Sequence, residues 1–182
     1  MTATAPIHPL LVPDAATDHV LGPATARLTL VEYGDFECPS CGQAHPAVKI
    51  LRDRFGSQVR FVFRHFPLRE VHPHAELAAE AAEAAGAQGQ FWAFHDLLFA
   101  HQQHLGAAHL QSYAEQLGLD IPRFENELRD HVYLQRVQEQ MQGAVALRVR
   151  ATPTFFLNGE FCDVSFGLAH LQQRIEKALG AA

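Results

Sequence analysis

The apolar period of this chain changes twice, and that change restricts the fold more than any single residue does. Arg27 to Tyr33 is rich in β-formers and ends at Gly34-Asp35, which predicts a strand with Leu28, Leu30 and Glu32 on one face. Cys38 to about Phe55 has a helical pattern closed by Gly56. Val59 to Phe66 is nearly continuous apolar sequence, interrupted by Arg60, Arg64 and His65, and predicts a second strand. A strand, a helical crossover and a strand imply a parallel βαβ unit. From Pro73 to about Leu147 every segment then has helical spacing, with Glu76, Glu80 and Glu83 on one face of the first. Asp120 is placed to cap a short helix holding Phe124 and Leu128. After Arg150 the strands return. Thr154–Leu157, Asn158-Gly159 and Glu160 to Val164 predict a hairpin, and Leu168 to Leu179 an amphipathic helix. The expected fold class is α/β: one domain built from 23–68 and 149–182, an all-helical insertion at 69–148, and a loose N-terminal arm at 1–22.

Composition narrows the function classes. A chain of 182 residues, 48% hydrophobic and 19% charged, can bury one sizeable core and is an ordinary globular protein. A net charge of −6 gives no basic footprint for nucleic acid or an anionic membrane, so neither is an expected partner. No apolar run is long enough to cross a bilayer, and no membrane insertion is expected. Three cysteines do not make a disulfide-stapled scaffold. Met1 to Pro23 lacks a basic stretch followed by an apolar one, so the expected location is the cytoplasm. A processed or truncated exported form would present the same N-terminus.

Cys38-Pro39-Ser40-Cys41 lies where a loop enters a helix. The first helical turn has unpaired N–H groups and partial positive charge, and both lower a cysteine pKa. Pro39 costs nothing there because its missing N–H would lack a partner anyway. Two intervening residues bring Cys41 within disulfide distance of Cys38, so Cys38 can attack a disulfide and Cys41 can resolve the product. The competing reading is part of a zinc site, with His45 as a third ligand. No second C-x-x-C pair is present to complete it.

Two further residues carry chemical information. Glu32 is a carboxylate among apolar strand residues, six positions before Cys38. Burial would raise its pKa and fit it to exchange a proton with Cys41; the alternative is a strand-end charge turned to solvent. Pro153, in Thr152-Pro153-Thr154, opens a strand to whose ladder it cannot donate, which marks a first residue or a special turn. By general frequency its peptide bond would be trans.

Three phrases together resemble the thioredoxin superfamily, most closely its DsbA-like branch. They are Leu30-Val31-Glu32-Tyr33-Gly34-Asp35-Phe36-Glu37-Cys38-Pro39-Ser40-Cys41, Phe63-Arg64-His65-Phe66-Pro67-Leu68 and Ala151-Thr152-Pro153-Thr154-Phe155-Phe156-Leu157-Asn158-Gly159. The resemblance implies a thioredoxin fold with an inserted helical cap. It places Cys38 as nucleophile, Cys41 as resolving thiol, Glu32 as the buried acid and Pro153 as a cis-proline against the sulfurs. It makes Thr152 a backbone partner for an extended substrate, Pro39 and Ser40 the tuning dipeptide, and Pro46 a kink in the active-site helix. The best-known secreted DsbA enzymes have histidine where this chain has Ser40, and serine adds less positive charge.

The implied activity is thiol–disulfide exchange with protein or peptide thiols, working with an unidentified redox partner and needing no cofactor or metal. Two alternatives remain: a metal-binding protein using the cysteine pair, and a redox-inactive binding or chaperone module on the same fold. Of the histidines, the pairs His72/His74 and His101/His104 read as solvated surface, since no acidic or sulfur partner is near in sequence. His65 reads as a satisfied polar residue or one reaching the active-site rim. Phe91, Trp92 and Phe94 read as core of the helical block, and Cys162 as a small buried strand residue.

Overall fold

The structure, a computed structural model, describes residues 7–165 and 167–180. These fall into two compact units. One takes the residues up to Tyr33, Pro46–Arg64 and those from Thr154 onward; the other takes Gly34–His45 and His65–Pro153.

The first unit is built on a five-stranded sheet in the order β1-β3-β2-β4-β5: β1 (His19–Leu21), β2 (Leu28–Gly34), β3 (Val59–His65), β4 (Thr154–Leu157) and β5 (Glu160–Cys162). Hydrogen bonds from Leu28 N to Gln58 O and from Phe66 N to Gly34 O, at the two ends of the β2–β3 pair, run in the same sense, so these strands are parallel. β4 lies antiparallel to β2, with Leu30 opposite Leu157 and Tyr33 opposite Thr154. Asn158 and Gly159 have φ of 49° and 85°, the two positive values that a tight two-residue hairpin requires, and they turn β4 into β5. Every residue of β2 is buried, so both faces of this strand are covered. Helix α1 (Pro39–Phe55) runs through Pro46, and the C-terminal helix α7 (Ala169–Gly180) buries Leu171 and Ile175.

The N-terminal stretch read as a loose arm is fastened to this unit; residues 1–6 lie outside the described residues. Leu11 is buried, and β1 pairs antiparallel with β3, His19 opposite Phe63. The fastener is Arg64, buried within β3. Its guanidinium makes two 2.7 Å hydrogen bonds to Asp18, donates to Tyr33 Oη at 3.0 Å, and also donates to the carbonyls of Leu10 and Val12. A three-residue strand has too little period to be seen in sequence, and its anchor lies more than forty residues further on.

The second unit contains α2 (Ala75–Gly86), α3 (Phe91–Ala100), α4 (Ala107–Gln116), α5 (Ile121–Arg129) and α6 (Leu134–Ala146). α2 is central and packs against α3, α4, α5 and α6. Its alanines let helices approach from every side, and nearly all of it is buried. Two of the glutamates sharing its polar face are therefore not a solvent stripe. Glu83 is 1% exposed and accepts from Arg136 at 2.9 Å, with His65 Nε2 also at 2.9 Å, while Glu80 faces His131 at 3.1 Å. Buried carboxylates persist only when paired in this way. Asp120 caps α5 by accepting from Arg123 N at 3.1 Å. The segment carrying the Cys-Pro-Ser-Cys motif groups with these helices, a different boundary from the predicted 69–148 insertion. Hydrogen bonds from Gln102, His72 and His74 to residues 35–38 account for it.

Candidate active site

Cys38 precedes the first residue of α1, with Cys41 one turn inside. The start of the helix is set by local bonds: Cys38 N donates to Asp35 O at 3.2 Å, and Gly42 N to Cys38 O at 3.1 Å. Both cysteines are in the reduced thiol form and buried, Cys41 completely. The Cys38 thiol donates to the Thr152 carbonyl at 3.5 Å, and the Thr152–Pro153 peptide is cis. Residues far apart in sequence thus meet at one sulfur.

The Cys38 pKa is lowered to about 5. Hydrogen bonding from the Cys41 thiol is the main cause and prevails over burial; the Thr152 side chain and the N–H groups of Cys41 and Ser40 add to it. Cys162 is the opposite case. It is buried in β5, donates weakly to Glu160 O, and burial pushes its thiol up, so it is not activated for attack.

Glu32 belongs to the sheet unit, where it is 3% exposed and stands opposite Phe155. Burial pushes its carboxyl up to about 8, against the pull of the Arg52 guanidinium. The solvent-facing alternative for Glu32 is thereby removed.

Several residues at the site went unseen in the sequence. Asp35 is 2% exposed and works in three directions: Oδ1 accepts from Glu37 N at 2.8 Å, Oδ2 accepts from Leu68 N at 2.8 Å, and Oδ2 lies 2.7 Å from His72 Nδ1. An Asp directly after a strand-ending Gly signals such an Asx turn, and only that first bond was legible. Glu37 accepts from His74 N at 2.6 Å and faces its Nδ1 at 3.0 Å. His72 and His74 thus have the acidic partners that seemed lacking, 37 residues away in sequence. Gln102 donates to the carbonyls of Phe36 at 2.9 Å and Cys38 at 2.8 Å, fixing the loop from the far side. Gly42 permits that approach, since a Cβ there would fall 1.9 Å from Gln102 Oε1. A groove of about 520 Å³ opens beside the motif, lined by Glu37, Pro39, His72, His74, Gln102 and His109 among others.

His45 does not complete a set with the cysteines. Its ring stacks on Phe99 with centroids 4.8 Å apart, and its Nε2 lies 3.6 Å from Asp96 Oδ1, which also faces His95 Nδ1 at 3.0 Å. Among the described residues, the group close enough to share an ion is His45, His95 and Asp96, and it holds no cysteine. His65 is a satisfied polar residue on Glu83, 1% exposed.

Comparison with known proteins places this geometry in a family. A thioredoxin family model matches residues 14–177. The structure is similar to a thioredoxin-like oxidoreductase from Silicibacter pomeroyi at 28% identity and a TM-score of 0.82, covering 95% of this chain and 98% of that one. It shares its fold with BdbD from Bacillus subtilis at 24% identity and a TM-score of 0.83, covering 92% and 96%. In sequence it is 51% identical over 170 residues to a Salinispora arenicola protein named Na(+)/H(+) antiporter NhaA 1, which covers 93% of this chain. The chain spans 26% of that relative's length, so the name describes a much longer protein. Among the described residues no helix is long and apolar enough to cross a membrane. The chain belongs to the thioredoxin family.

Proposed function

We propose that this protein is a thiol–disulfide oxidoreductase acting on protein or peptide substrates through Cys38 and Cys41. The observation that carries the reading is the seating of Cys38 at the start of α1, hydrogen-bonded to the Thr152 carbonyl beside Pro153. The Cys38 thiolate attacks one sulfur of a substrate disulfide. A Cys38–substrate bond forms, the substrate S–S bond breaks, and the departing sulfur takes a proton. Cys41 then loses its proton and attacks Cys38 sulfur, releasing the second substrate thiol. Two electrons have passed from the dithiol to the substrate, and the reverse sequence oxidises a substrate dithiol. Glu32 is assigned the Cys41 proton, on its raised pKa and its position six residues before the motif. Thr152 is assigned the substrate main chain.

The lowered Cys38 pKa stabilises the reduced form, which favours oxidation of substrates by the disulfide form. The test is trapping with a peptide disulfide. Cys41→Ala should accumulate a mixed disulfide and Cys38→Ala should not; the reverse pattern overturns the assignment. Equilibration against glutathione reads the direction, and a potential near that of thioredoxin, about −270 mV, would refute the oxidising role.

A further inference from the structure

The imidazole of His72 lies at the edge of the motif and takes no part in the exchange described above. Its Nδ1 is 2.7 Å from Asp35 Oδ2, and Asp35 is buried. The same Asp35 is bound to the motif through its own main chain, since its carbonyl accepts from Cys38 N at 3.2 Å and its Oδ1 from Glu37 N at 2.8 Å. His72 therefore cannot move independently of the nucleophile's loop. Its side chain is 16% exposed and lines the groove that Pro39 and Glu37 line from the motif side. Ser40, inside the motif, carries no charge. Resting on the reading of Cys38 as the attacking thiolate, we propose that His72, clamped by Asp35, is a positioning residue whose positive charge stabilises that thiolate and couples its reactivity to pH.

The electrostatics run in the supporting direction. Burial works against the charge on His72, but the Asp35 hydrogen bond and the negative charges of Asp35, Cys38 and Glu37 outweigh it and hold the imidazole above its ordinary pKa. Thiolate and imidazolium thus coexist in a window that begins where Cys38 becomes a thiolate, about 5, and closes as His72 loses its proton. The charged groups acting on His72 are Asp35, Cys38 and Glu37, and His74, His104 and His109 line the same groove. Coupling between two charges is reciprocal. Oxidation to the Cys38–Cys41 disulfide removes the thiolate charge, and His72 then holds its proton less tightly. The histidine reports the redox state of the pair as well as tuning it. Hydrogen bonds from Cys41 and the helix N-terminus remain the larger stabilisers, so His72 adjusts the nucleophile rather than creating it.

The decisive comparison is His72→Gln, which keeps a donor towards Asp35 and stays neutral at every pH. In reduced protein, carboxymethylation of Cys38, followed by peptide mass, should slow about threefold or more near pH 5.5. It should converge on the wild-type rate at alkaline pH, once the wild-type His72 has lost its proton. A loss equal at both pH values would mark a merely structural residue and overturn the proposal, as would unchanged rates. Independently of the variant, the His72 ring resonances of wild type should titrate at lower pH in oxidised than in reduced protein; identical midpoints would also overturn it. The oxidised fraction in a glutathione buffer separates this inference from the reading beneath it. If wild type never forms the Cys38–Cys41 disulfide, the reading itself falls. If it does and His72→Gln behaves as wild type, only the role of His72 falls.

Discussion

Replacing Glu32 with glutamine isolates the energy held in one buried acid. The carboxyl is 3% exposed, and its pKa is raised from 4.5 to about 8. At ~1.4 kcal/mol per pKa unit, keeping it ionised in the folded chain is unfavourable by on the order of 5 kcal/mol. The native carboxyl holds its proton up to about pH 8, whereas the unfolded chain releases it near 4.5. Between those values the unfolded state binds fewer protons, so stability falls as pH rises and levels off above the native pKa. Glutamine has nearly the same shape and never ionises. The stability of Glu32→Gln relative to wild type should therefore increase from about pH 5 and reach a plateau of several kcal/mol above about pH 8. Urea unfolding of the oxidised proteins across that range measures the difference, with all other titrating groups cancelling between the two. Parallel profiles would refute the reasoning, because they would mean that Arg52 fully compensates the ionised carboxylate. In turnover, the variant should slow release of the mixed disulfide near neutral pH if Glu32 takes the Cys41 proton.

Two further perturbations each test a fastening inside one unit. Arg64→Leu leaves Asp18, whose side chain is 2% exposed, without the guanidinium that pairs it, and should cost about 3–5 kcal/mol. Limited proteolysis should then cut within residues 7–22, and a resistant N-terminal segment would count against the anchoring role of Arg64. Gly42→Ala puts a Cβ onto Gln102 Oε1 and should displace the amide that holds the Phe36 and Cys38 carbonyls, costing about 1–3 kcal/mol. The double variant with Gln102→Ala should be much less than additive in thermal or urea unfolding, and full additivity would show that the two residues are independent.

Sequence alone determined whatever depends on neighbours along the chain. The βαβ start, the helical block and the hairpin at Asn158-Gly159 were legible because periods of 3.6 and 2 and a positive-φ dipeptide are local properties. So were the cap at Asp120, an oxygen three residues from the N–H it accepts, and the two motif cysteines, whose spacing is itself the chemistry. The joining of Thr152 to Cys38 came from resemblance, not from any local rule. Tertiary structure alone decided how charges were shared out. Asp35 and Glu37 acquired His72 and His74 across 37 positions, Glu83 acquired His65 and Arg136, and Arg64 bound a segment that looked unattached. A charge in sequence shows neither its burial nor its partner. Both arise only when the chain closes and water is withdrawn, and ionised groups must then find partners or give up their charge.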